Sequence, residues 1–167
     1  IEIKHLKKYF RTQRGMLHAV DDISFSIPEG ETLGVVGESG CGKSTLGRTL
    51  LRLLEPTDGE VLYKGENILE CNKEQMRVMR TKMQMIFQDP YASLDPRMTV
   101  SNIIAEPIKV CRLLHSENEI NEKVNGLMET VGLAPRFANA YPHELDGGRR
   151  QRIGIARALA VDPKFIV

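Results

Sequence analysis

Apolar and polar positions change period several times along the chain, and each change marks an element. "AVDDISFSI" at residues 19–27 alternates side chains one by one, the period of a half-buried strand. Pro28-Glu29-Gly30-Glu31 then forms a turn. "TLGVVG" at 32–37 is a short apolar run ending in glycine and predicts a buried strand. "KSTLGRTLLRLL" at 43–54 predicts a helix with Leu46, Leu50, Leu53 and Leu54 on one face. "EPTDG" at 55–59 stops it, and "EVLYKG" at 60–65 predicts another strand. "MQMIFQDP" at 83–90 predicts a strand running into a proline-bounded loop.

From Val100 to about Val131 the period is helical. Ser116 and Glu119 have the spacing of a capping box, Ile120, Val124, Leu127, Met128 and Val131 form an apolar stripe, and Gly132 marks the stop. "YPHELDGG" leads into a last helix, "RRQRIGIARALA" at 149–160. Asp162-Pro163 makes a turn, and "KFIV" at 164–167 reads as a buried strand. Strands alternating with helices predict an α/β nucleotide-binding core over residues 1–90 and 146–167, with a helical subdomain inserted at 91–145.

Composition narrows the setting. The 167 residues are 41% hydrophobic and 27% charged, as in a globular protein, and the net charge of +1 gives no sign of a nucleic-acid surface. No apolar run approaches the ~18–20 residues that cross a bilayer. The start, "IEIKHLKKYF", has no Met and is charged and alternating, unlike a signal peptide. Cys41, Cys71 and Cys111 lack metal-ligand spacing, which suggests reduced thiols in a cytosolic setting.

The strongest chemical signal lies between the second predicted strand and the first predicted helix. Gly37-Glu38-Ser39-Gly40-Cys41-Gly42-Lys43-Ser44-Thr45 fits G-x-x-x-x-G-K-[ST]. The glycines let the backbone fold round a polyphosphate with its amides inward, and the helix N-terminus adds partial positive charge. Lys43 is placed to reach the β- and γ-phosphates of ATP, and the Ser44 hydroxyl to bind Mg²⁺. Such a loop serves kinases, GTPases, motors and transporters alike. Neither D-x-x-G nor N-K-x-D is present to suggest a GTPase.

Two later stretches choose among these. "MIFQDPYASLDPRMTV" carries Gln88 about 45 residues after Lys43, and "YPHELDGGRRQRIGIARALAVDPKFIV" follows about 55 residues later. This order resembles the ATP-binding subunits of ABC transporters over essentially the whole chain. The wording "FQDPYASLDPRMTV" and "ESGCGKSTLGR" resembles the oligopeptide/dipeptide importer branch, to which nickel importers also belong. The resemblance implies that Gln88 touches Mg²⁺ and the attacking water and couples the site to a membrane permease. It implies that Phe10 stacks on adenine, with Tyr9 as the alternative. It also implies that Leu145, Asp146, Gly147, Gly148 and Arg149 are the signature that binds the γ-phosphate held by a second subunit. The expected partners are a second ATP-binding subunit, transmembrane permease subunits and, indirectly, a solute-binding protein, at the cytoplasmic face of the membrane. Arg149, Arg150 and Arg152 have a plainer reading as a solvated basic face, preferred for Arg150. His143 reads as a structural loop residue.

The chain departs from the family pattern twice. The family signature L-S-G-G-Q is replaced by Leu145-Asp146-Gly147-Gly148-Arg149. Asp caps a helix as well as Ser does, but an ionised Asp cannot donate to a γ-phosphate oxygen. Two like charges at ~4 Å cost about 4 kcal/mol at an effective dielectric of 20, which Arg149 would partly offset. The expectation is a weak or silent ATP site in a heterodimer. Secondly, the family's strand matching "KFIV" continues into an Asp that holds Mg²⁺, a Glu that polarises water and a switch histidine, all of which would lie beyond Val167. The chain is therefore expected to bind nucleotide and to hydrolyse ATP little by itself. The competing readings are a non-hydrolysing regulatory nucleotide-binding partner and a non-transport ABC ATPase. The latter would carry coiled-coil insertions or two cassettes, and neither is visible.

Overall fold

The computed structural model describes residues 1–167. It divides into two compact units, Ile1–Met76 and Arg77–Val167. The first contains β1 (Glu2–Thr12), β2 (Gly15–Ser26), α1 (Lys43–Leu50), β3 (Asp58–Tyr63) and β4 (Glu66–Asn67). Its strands form one antiparallel sheet in the order β2-β1-β3-β4, and α1 packs on β1 and β2. Ile3, Leu6, Val20, Leu50, Leu51, Val61 and Ile68 are buried there. The β1–β2 ladder is bulged, with register shifts between Ile3 and Leu6, Leu6 and Lys8, and Lys8 and Tyr9.

Helix α2 (Lys73–Lys82) spans the boundary between the units. The second unit then holds β5 (Met83–Gln84), α3 (Pro90–Ser93), α4 (Val100–Val110), α5 (Glu117–Thr130), α6 (Gly147–Leu159) and β6 (Phe165–Ile166). Its core is helical: Ile103, Ile104 and Ile108 of α4 meet Ile120, Val124 and Met128 of α5 and Ile153 and Ala156 of α6. β5 and β6 form a parallel ladder of two strands.

Five local expectations are corrected. Residues 31–38, with the run "TLGVVG", form no strand, and Val36 is 92% exposed. The run has strand composition, but a strand also needs a neighbour to complete its ladder. The four-stranded sheet and the β5–β6 pair include none beside it. β6 is likewise two residues long and Ile166 is 41% exposed, so "KFIV" is not a buried strand; "MQMIFQDP" is strand only over Met83–Gln84. Helix α1 stops at Leu50 rather than Leu54, because Arg52 turns left-handed (φ 51°) and Leu53 N–H donates back to the Arg48 carbonyl at 2.8 Å. The turn buries Leu51 and exposes Leu53. Ser116 does cap α5, but its side chain makes no capping hydrogen bond, so the predicted box does not close.

The α4–α5–α6 cluster is where a single truncation should cost most. Ile104→Ala removes a fully buried side chain from it. We expect a loss of about 2–5 kcal/mol in stability, checked by urea unfolding monitored by circular dichroism.

Candidate functional site

The glycine loop is built by a short turn and a helix start. Cys41 N–H donates to the Glu38 carbonyl at 3.3 Å, closing the turn through Ser39 and Gly40. Gly42 is the N-cap of α1, with φ 99° and no side-chain cap, and its carbonyl accepts the first helical bond from Leu46 N–H at 2.8 Å. A helix start leaves its first amides without intrahelical partners. Here no side chain takes them, so the donors of Lys43, Ser44 and Thr45 suit an anion. Lys43 Nζ donates to the carbonyls of Gly37 at 2.8 Å and Glu38 at 2.7 Å, and it lies 3.7 Å from Cys41 Sγ. The ammonium thus stands within the loop. The Ser44 hydroxyl is exposed on the first turn of α1, and the Thr45 carbonyl accepts from Thr49 Oγ1 at 2.8 Å.

Gly42 cannot be another residue. A β-carbon there would lie 2.1 Å from the Ala19 carbonyl oxygen on β2, well inside van der Waals contact, and its φ is one that only glycine adopts without cost. The hairpin and the loop are in direct contact at this point.

Aromatic residues Tyr9 and Phe10 of the hairpin have different surroundings. Tyr9 is engaged: its ring stacks on His18 with centroids 3.9 Å apart, and its hydroxyl donates to Asp21. The bond to the Asp21 carboxylate pushes the Tyr9 hydroxyl up to about 12. Phe10 carries no such bonds, only the Lys8 ammonium 4.9 Å from its ring centre. Of the two, Phe10 has the freer ring.

Gln88 and the 145–149 segment belong to the second unit and stand on separate elements. Gln88 is exposed in the bend between β5 and α3, and the following Asp89 caps α3 by accepting from Tyr91 N–H at 2.8 Å. Leu145 is buried in the helical core. Asp146 caps α6, its Oδ1 accepting from Arg149 N–H at 2.8 Å while Oδ2 pairs with the Arg149 guanidinium at 2.9 Å. Gly147 and Gly148 form the exposed first turn of α6. The amide of Arg149, then the guanidinium charge, hold the Asp146 carboxyl below its usual range. The guanidinium also lies 4.8 Å over the Phe137 ring.

The reading of Arg150 as a solvated residue is corrected. It is 8% exposed, donates from Nε to the Pro142 carbonyl at 2.7 Å, and lies 3.7 Å over the Tyr91 ring. Arg152 is engaged too, capping α5 through the Gly132 carbonyl at 2.8 Å. His143, within the 3₁₀ turn Pro142–Glu144, stacks on its N-cap Tyr141. Nothing in the local sequence marks which of three neighbouring arginines is buried. Tyr91 is far from Arg150 along the chain, and only packing brings its ring to the guanidinium.

Residues 20–167 match the family described as ABC transporter. The chain belongs to that family. It is 60% identical to the oligopeptide transport ATP-binding protein OppF of Bacillus subtilis over 168 residues, covering 100% of this chain and 55% of that protein. It is 50% identical to AppF, another oligopeptide transport ATP-binding protein of Bacillus subtilis, covering 100% of this chain and 53% of the relative. The chain thus spans about half the length of these curated relatives. A solved dimer of an ATP-binding cassette in a post-hydrolysis state, bound to ADP and Pi, superposes with a TM-score of 0.91 at 30% identity, covering 99% of this chain and 71% of that one. The fold is therefore the α/β P-loop cassette of the ABC family.

The Asp146 cap carries a pH signature. Its folded value lies below the ordinary 3.8, so its stabilising effect is present above that value and is lost as pH falls through the lower folded one. Asp146→Ala should lower the melting temperature at pH 7, and the gap to the parent should narrow on acidification below about 3.8. Thermal unfolding at several pH values checks this, with Asp146→Ser expected to retain the cap.

Proposed function

We propose that this chain is the nucleotide-binding part of an ATPase subunit of an ABC importer that energises uptake of oligopeptides or dipeptides. The observation that carries the reading is the loop of residues 37–45. An uncapped helix start and an ammonium held by the loop's own carbonyls form one cradle suited to an anion. Names of relatives at 50–60% identity support the peptide cargo. We assign residues 1–90 and 146–167 to the ATP-binding core and 91–145 to a helical subdomain. The roles are Lys43 on the β- and γ-phosphates, Phe10 on adenine, and Gln88 beside the metal and the attacking water. Mg²⁺ would arrive on the nucleotide. No group of three or more His, Cys, Asp or Glu side chains is placed to hold a metal. A single hydroxyl such as that of Ser44, together with phosphate oxygens, suits an ion that keeps several waters.

The partners proposed are a second ATP-binding subunit, whose 145–149 segment closes on the γ-phosphate, and the permease. No helix is long and apolar enough to cross a membrane, in keeping with a peripheral place at its cytoplasmic face. Because the signature acts across a dimer, the chain alone binds ATP but turns it over slowly. Asp146 is the reason to expect that this signature serves a weak site. Its carboxylate is already committed to Arg149 and has no proton to donate to a phosphate oxygen. If so, Asp146→Ser raises ATPase turnover in the assembled transporter, and an unchanged rate counts against a silenced site.

Lys43→Ala tests the reading directly. Losing a charge-assisted interaction of about 1.5–3 kcal/mol weakens ATP binding roughly ten- to a hundredfold. Calorimetric titration measures it, with circular dichroism to show that the fold is kept.

A further inference from the structure

The hairpin carries three side chains that the nucleotide reading leaves without a task. Tyr9 and His18 are register partners across β1 and β2, and their rings stack nearly parallel, at 16°. The Tyr9 hydroxyl donates to Asp21 Oδ1, and His18 Nδ1 lies 3.3 Å from Asp21 Oδ2. The next register pair is Lys8 with Val20, which leaves Ala19 without a partner on β1. Ala19 is therefore the extra residue of a β-bulge. The cluster brackets it: His18 precedes the bulge, Asp21 follows it, and Tyr9 joins the two from the opposite strand.

That bulge is also where the hairpin meets the glycine loop. The Ala19 carbonyl lies so close to Gly42 that a β-carbon would stand 2.1 Å from its oxygen and 3.3 Å from its carbon. Gly42 caps α1 and immediately precedes Lys43. The extra residue of a bulge is left unpaired in the ladder, so contacts of its neighbours can bear on where it sits. The contacts among Tyr9, His18 and Asp21 lie on both sides of Ala19, and its carbonyl limits where the loop can sit.

We propose that Tyr9, His18 and Asp21 are positioning residues that hold the Ala19 bulge against Gly42 and so set the seat the loop presents to a polyphosphate. This rests on the reading of residues 37–45 as a phosphate cradle. Asp21 is held below the usual carboxylate range by the Tyr9 hydroxyl and then by His18, while Tyr9 is held up at about 12.

The test uses two probes, ATP and inorganic tripolyphosphate, titrated calorimetrically into the full-length protein. Tripolyphosphate needs only the loop. Asp21→Ala and Tyr9→Phe are expected to weaken both probes by roughly fivefold, the scale on which residues remote from a ligand modulate its binding. Asp21→Asn keeps an oxygen to accept from Tyr9 and is expected to restore binding to within about twofold of the parent. Phe10→Ala should weaken ATP alone. An unchanged Kd for tripolyphosphate in both Asp21→Ala and Tyr9→Phe, with Lys43→Ala weakened, overturns the proposal and leaves the cradle standing. The same holds if those variants lose only melting temperature or the number of competent sites at constant Kd. If Lys43→Ala also leaves both probes unchanged, the cradle reading itself is wrong and the proposal goes with it.

Discussion

At Gly42 two backbones pass so close that there is no room for a side chain: the Ala19 carbonyl oxygen would be 2.1 Å from any β-carbon placed there. The same residue has a left-handed φ and is the cap of α1. Close approach, backbone sign and helix start are thus imposed on one position, and glycine alone meets all three. The arrangement of the loop depends on this contact. It sets where α1 begins and therefore where its free amides face. It also places Lys43 so that the ammonium bonds the carbonyls of Gly37 and Glu38. On the reading of this loop proposed above, a phosphate cradle works by having its dipoles oriented before the anion arrives, and the close approach at Gly42 favours one orientation.

The second unit uses charges in the opposite way, mostly to finish helices. Asp146 caps α6 and pairs with Arg149, Arg152 closes the end of α5, and Arg157 reaches the Ser93 carbonyl at 2.5 Å. Arg150 is buried among Pro142 and Tyr91, and a buried guanidinium is tolerated only when its donors and its face are occupied. The basic run at 149–152 is therefore largely committed to structure. In the 145–149 segment Asp146 and Arg149 satisfy each other, so the charge that the segment presents is a paired one.

The apolar run at 32–37 is not a strand, and Leu33, Val35 and Val36 are exposed. β6 pairs with β5 over only two residues, though Ile86 N–H and the Val167 carbonyl extend the contact at 2.8 Å. Both runs have the composition of strands that are covered on two faces. Leu33, Val35, Val36 and Ile166 are left without such cover.

Much of the protein was legible from local pattern. The glycine loop, the stripe Ile120, Val124 and Met128, the stop at Gly132 and the helix after residue 148 each follow from spacing within a turn or two. The order of three motifs was enough to place the chain in its family, because each motif is a short contiguous string. What the sequence could not decide depends on partners distant along the chain. Whether "TLGVVG" becomes a strand is settled by a neighbouring ladder rather than by its own residues. Arg150 is covered by Tyr91 from a distant segment, and Arg52, whose left-handed turn ends α1, bonds the Ile68 and Cys71 carbonyls. The contact between Ala19 and Gly42 belongs to the same class. Local propensity wrote both segments, but only the bulge in the tertiary ladder brings one carbonyl against one glycine.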